Sequence, residues 1–262
     1  MLKKLAAVLT VLLFLFVGTA LAEGVVGEIE EEVILTPDGQ EIVIYSSAQP
    51  ENPAREDLID RIIARGKEIY DRAGGRPQRA ASGSDIYVCK NFTTYVFREC
   101  RGDFRLADYP DVTLVCPDNM PAEGCKPYVY GVMWKDVPAS EGNAFYAAAE
   151  FRYNPDLSYE ENLEIAKDFM RQVQRGDYFQ MAANYYYGIG AHSAIMIADW
   201  NPETDTVRWM DSNMAGKRID GVRHGYVQFD REKSVTWWAE AFCHKRYGAT
   251  IYRLSDNIVY AD

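Results

Sequence analysis

The sequence predicts an α+β protein in which capped helices come early and an antiparallel sheet comes late. Three features carry that expectation: a long helix with start and stop signals, a second helix opened by a capping box, and two strand-like runs joined by a polar turn. The first helix opens at Asn52-Pro53, with Asn as cap and Pro at the first helical position. Leu58, Ile59, Ile62, Ile63, Ile69 and Tyr70 give it one apolar stripe, and Gly74-Gly75 ends it. Ser158-Tyr159-Glu160-Glu161 opens the second ahead of Leu163, Ala166, Met170 and Val173, and Gly176-Asp177 stops it. Strands follow at 192–200 and 206–213, then a late helix at about 235–244 and a strand at about 250–254.

Upstream, two β-branched runs flank Pro37-Asp38-Gly39, which predicts an acidic β-hairpin extension over residues 23–50. Before it, Lys3 and Lys4 precede an unbroken apolar run, and Ala20-Leu21-Ala22 is a small-x-small cleavage site. Residues 1–22 therefore read as a signal peptide cleaved after Ala22, which predicts a secreted or periplasmic protein with no stable membrane insertion afterwards. Residues 51–262 read as one catalytic-sized domain, interrupted at about 101–155 by a loop-rich insertion with six prolines.

The 262 residues are 48% hydrophobic and 26% charged, proportions of a folded chain rather than a disordered one. With 28 Lys+Arg against 39 Asp+Glu, the formal charge of −11 disfavours contact with nucleic-acid phosphates. Signal cleavage would remove two lysines and no acid, which makes the remainder more acidic still.

Export changes how the five cysteines read, because disulfides persist in that compartment. Five is odd, so at least one is left over. In Tyr87-Val88-Cys89-Lys90-Asn91-Phe92, a helix beginning near Cys89 would put its thiol among unpaired N–H groups, which favour thiolate. Thr93 to Phe97 also suits a strand, in which Cys89 would be merely buried or bonded. If the segment is helical, Cys89 and Cys100 sit roughly three turns apart, about 16 Å along the axis and too far to bond. Cys116 with Cys125 then closes most easily, Cys100 and Cys243 form the second disulfide candidate or are simply buried, and Cys89 stays free.

A thiolate nucleophile needs a base, and only three histidines occur: His192, His224 and His244. His192 begins a strand. Pairing that strand with the next across its turn puts Asn213 opposite His192 and Asp211 opposite Ala194. Either Asp211 or Asn213 would then orient the imidazole. Tyr87 and Ser84 are candidates for an oxyanion donor. No ordered Cys/His spacing suggests a metal, and no cofactor is expected.

Cys89-Lys90-Asn91-Phe92, Gly176-Asp177, His192-Ser193-Ala194 and Asp211-Ser212-Asn213 together resemble the CHAP and NlpC-type amidohydrolases, over about residues 60–215. The resemblance implies a papain-like arrangement of helices on an antiparallel sheet. It further implies a cysteine amidase or peptidase acting on peptide or cell-wall peptidoglycan, with Cys89 as nucleophile, His192 as base and Asp211 or Asn213 as orienter. Two other readings stand beside it: a transglutaminase-like acyltransferase, which often has a Trp shortly before the Asp as Trp209 is here, and an inactive secreted binding domain on the same scaffold.

Overall fold

The computed structural model describes residues 29–35, 41–47, 52–80, 86–117, 134, 136–181, 191–214, 218–244 and 248–262. The signal-peptide segment, the turn at 36–40, Ser84 and Cys125 lie outside the described residues. The chain divides into two units, Met1–Glu51 and Asn52–Asp262. In the first, β1 (Ile29–Leu35) pairs antiparallel with β2 (Glu41–Ser47).

The second unit begins with α1 (Pro53–Ala73). Asn52 Oδ1 accepts from the backbone N–H groups of Ala54 and Arg55, and Gly74 closes the helix in the left-handed region at φ 59°. After β3 (Gln78–Arg79), α2 (Cys89–Cys100) follows an extended Val88 that offers no side-chain cap. Its β-branched stretch forms a helix because Phe92, Thr93, Val96, Phe97 and Cys100 then bury one stripe, which outweighs their strand propensity.

The expected loop-rich insertion contains more structure than its prolines suggested. β4 (Phe104–Leu106) pairs with the final strand, β11 (Ile258–Tyr260), and β5 (Phe145–Arg152) joins the main sheet. α3 (Tyr159–Met170) carries the complete Ser158–Glu161 capping box. β6 (Tyr178–Met181), β7 (His192–Met196), β8 (Thr206–Met214) and β9 (His224–Ser234) then run consecutively, followed by α4 (Val235–Phe242) and β10 (Gly248–Leu254).

Seven strands form one sheet in the order β3-β9-β8-β7-β6-β10-β5, and every neighbouring pair is antiparallel. Strand alternation divides the core in two. Tyr178, Ile195 and Met210 pack with Leu58, Ile62, Phe92 and Val96 on the α1–α2 face. Phe179, Met196 and Trp209 pack with Phe169, Met170, Trp238 and Phe242 on the α3–α4 face. The fold is thus α+β, with a helix pair on each face of an antiparallel sheet.

Two details fix the ends of the strands that carry the site. β9 has one extra residue between the pairs Trp209–Arg231 and Asp211–Gln228, a bulge at which Asp230 takes φ 57°. Asp177, buried before β6, accepts from both Arg253 Nε and Nη2 at 2.8 Å and from the Gln174 N–H at 2.7 Å. That buried pair pins the turn ahead of β6 to β10.

Candidate active site

Four side chains named from the sequence come together where α2 begins, at the start of β7 and along β8. β7 and β8 pair with Ile195 opposite Met210 and Met196 opposite Trp209, the register expected from the turn. Residues 209, 211 and 213 alternate onto one face of β8. His192 enters from β7, where it pairs with Met181 of β6. Cys89 approaches as the first residue of α2, its Sγ 3.8 Å from the Ala191 carbonyl.

The preceding segment is held from two sides. Ser212 Oγ donates to the Tyr87 carbonyl at 2.8 Å. Gly225 of β9 lies so close that an added Cβ would meet the Tyr87 oxygen at 2.1 Å. Only a glycine lets this backbone pass. Tyr87 packs partly against the α1–α2 core, so its clearest contribution is this anchored carbonyl.

His192 Nε2 lies 2.9 Å from Asp211 Oδ2, and the Cys89 thiol is hydrogen-bonded to the same imidazole. With Nε2 taken by Asp211, Nδ1 is the nitrogen left for sulfur. The open choice between Asp211 and Asn213 therefore resolves into a series. Asp211 touches His192, and Asn213 touches Asp211, through Nδ2 to Oδ2 at 3.2 Å. Trp209 Nε1 donates to that oxygen at 2.8 Å. Asp211 is 1% exposed, and its other oxygen, Oδ1, is buried with no hydrogen-bond partner among the described residues.

The electrostatics follow from this geometry. Burial by itself pushes the Cys89 thiol up. The His192 hydrogen bond and charge, with the backbone N–H groups of Ser193 and Lys90, outweigh it and hold the thiol below its ordinary value. Burial likewise opposes a charged His192, yet hydrogen bonds to Asp211 and Cys89 and their charges push it up to about 10. Proton affinity is thus shifted from sulfur toward imidazole.

Of the two alternatives for Cys100 and Cys243, the disulfide is not formed and simple burial holds. They belong to cores on opposite faces of the sheet, because α4 packs against α3 rather than α2. Burial pushes each thiol up to about 11. Cys116 is partly buried beside the Pro117 carbonyl, and its expected partner Cys125 is outside the described residues.

Sequence reasoning assigned no hydrogen bond to Trp209 and gave Ser212 and Gly225 no role. The two-residue spacing of Trp209 and Asp211 on one strand was the available signal for the first. The second and third depend on contacts across more than a hundred residues. Among the described residues no group of three or more His, Cys, Asp or Glu side chains is placed to hold a metal ion, and no helix is long and apolar enough to cross a membrane. Comparison with known proteins gave no matching family model, no matching curated protein and no matching solved structure.

Proposed function

We propose that the protein is a secreted cysteine amidohydrolase or endopeptidase with a papain-like fold, acting on amide bonds of cell-wall peptidoglycan. One observation carries the reading. A cysteine at a helix start, with its thiol lowered, is hydrogen-bonded to a histidine whose other nitrogen is held by a buried carboxylate. A purely structural cysteine needs none of these.

The chemistry is acyl transfer to water. The Cys89 thiolate attacks the amide carbonyl carbon, and a carbon–sulfur bond forms as the carbonyl oxygen takes the negative charge. The Cys89 backbone N–H at the start of α2 would help hold that oxygen. Imidazolium His192 gives its proton to the leaving nitrogen, the carbon–nitrogen bond breaks, and a thioester remains. His192 then takes a proton from water as the hydroxide oxygen adds to the thioester. Collapse releases the carboxylate and restores the thiolate. Asp211 keeps the imidazole oriented and compensates its charge throughout.

The resemblance of the short motifs to those of CHAP and NlpC-type enzymes, with the export signal read in residues 1–22, supports a wall substrate. A thiol-directed probe near neutral pH, followed by digestion of purified peptidoglycan, tests the proposal. Selective labelling of Cys89 and release of wall fragments, both lost in Cys89→Ser, are the expected results. Incorporation of amines without hydrolysis would move the chain to the transglutaminase-like acyltransferases. Slow labelling spread over all thiols would leave a binding domain.

A further inference from the structure

Three donors converge on a single carboxylate oxygen in this site. Asp211 Oδ2 accepts from His192 Nε2 at 2.9 Å, Trp209 Nε1 at 2.8 Å and Asn213 Nδ2 at 3.2 Å, while Oδ1 accepts from none of the described residues. Trp209 is fully buried and held rigidly. Its ring packs edge-on against Trp238 at 4.8 Å and near-parallel to Trp237 at 5.9 Å, with the Arg231 guanidinium 5.1 Å from its centroid. A cation over an indole face draws electron density from the ring and sharpens its N–H as a donor.

We propose that Trp209 is a positioning residue that holds Asp211 Oδ2 against His192 and takes up part of its charge, so that the imidazolium stays acidic enough to protonate a leaving group. The inference rests on the hydrolase reading above for its consequence, though not for its geometry. The indole N–H stabilises the carboxylate whether His192 is charged or neutral. It matters more in the neutral state, because Asp211 then has no cation to compensate it. Removing the N–H must therefore make His192 harder to deprotonate. Among the described residues, the titratable or charged groups with contacts to this unit are Asp211 from β8, Cys89 from α2 and Arg231 from β9. β6 and α4 bring Met181 and Trp238 to His192.

The test compares wild type with Trp209→Phe, which keeps an aromatic ring and loses the donor. If the smaller ring prevents folding, substitution of Trp209 by benzothienylalanine replaces only the N–H by sulfur and keeps the volume. The primary readout is the nitrogen NMR titration of His192, which needs no substrate. Its imidazolium should titrate higher by about half to one pH unit. On a peptide amide, kcat should fall about tenfold with KM unchanged, since only the proton-transfer step is affected. An unmoved titration overturns the proposal, even if kcat falls, because Trp209 would then be packing alone. A shifted titration in a protein whose wild type turns over no amide upholds the role of Trp209 and removes the hydrolase reading instead.

Discussion

Replacing Asp211 by Asn keeps the size of the side chain and an accepting oxygen but removes the charge facing His192. An amide oxygen can still take the donors from Trp209, Asn213 and His192, so the fold should lose only about 1–2 kcal/mol. The imidazolium loses more. Holding His192 at about 10 rather than 6.5 corresponds to about 5 kcal/mol in favour of the charged ring, supplied by Asp211 and Cys89 against burial. A charge-assisted hydrogen bond contributes about 1.5–3 kcal/mol of that, so the variant should lose about one to two pH units of imidazolium stability. The assay is the nitrogen NMR titration of His192 in each protein. In Asp211→Asn the imidazolium should titrate about one to two pH units lower than in wild type, and amide turnover should fall by about a hundredfold or more. Asn213→Ala, which removes only a 3.2 Å contact to Asp211, should move the titration by less than about half a unit. An unchanged titration in folded Asp211→Asn would refute the idea that this carboxylate acts on the histidine.

Gly225→Ala should cost about 1–3 kcal/mol and slow Cys89 alkylation, because the new methyl group needs the space of the Tyr87 carbonyl; native stability with native reactivity would show that the segment is not so confined. Stability should also carry the mark of the ion pair. His192 binds its proton more tightly when folded, so its contribution is complete below the unfolded value near 6.5 and is lost as pH rises through about 10. Cys89 binds its proton less tightly when folded, so its contribution is present above the unfolded thiol value and is lost as pH falls through the depressed one. The melting-temperature difference between wild type and a Cys89→Ser, His192→Gln double variant should therefore peak between about pH 6.5 and 8.5; a difference still growing at pH 10 would contradict the pairing. Peptide mapping without reduction should find Cys100 and Cys243 unbonded, and both should resist alkylation until the protein unfolds. A bond between them would contradict their placement on opposite faces.

Elements whose signals are local were legible in the sequence. Asn52-Pro53 and Ser158–Glu161 cap helices because the capping atoms lie within three residues of the groups they satisfy. The β7–β8 register could be read because the polar turn Asn201-Pro202-Glu203-Thr204-Asp205 lies between the two strands. What was missed depends on distant partners. β9 hides in a charged run, Asp230-Arg231-Glu232-Lys233, and its strand character comes from pairing with β8. β5 contains three alanines, lies between Pro138 and Pro155, and extends because β10 offers it an edge. For Cys89 the residues allowed both helix and strand, and burial of Phe92, Val96 and Phe97 against the sheet favours the helix. The disulfide alternative for Cys100 and Cys243 failed for the same reason. Which face α4 would cover is a property of the assembled sheet, not of any stretch of chain.

The position of β7 has a consequence for inhibition. It is the middle strand of seven, hydrogen-bonded to β6 on one side and β8 on the other, and helices cover both faces. Displacing it would break two ladders at once, so the strand opens only in events close to complete unfolding. Cys89, in contrast, sits at the end of a helix whose lead-in, among the described residues, is fastened at Tyr87 by one hydroxyl and one close backbone contact. A ligand that needs extra room has to take it from the sulfur's side, while the imidazole and carboxylate behave as a fixed template. Compounds shaped to that template should tolerate little variation there and considerable variation around the thiol.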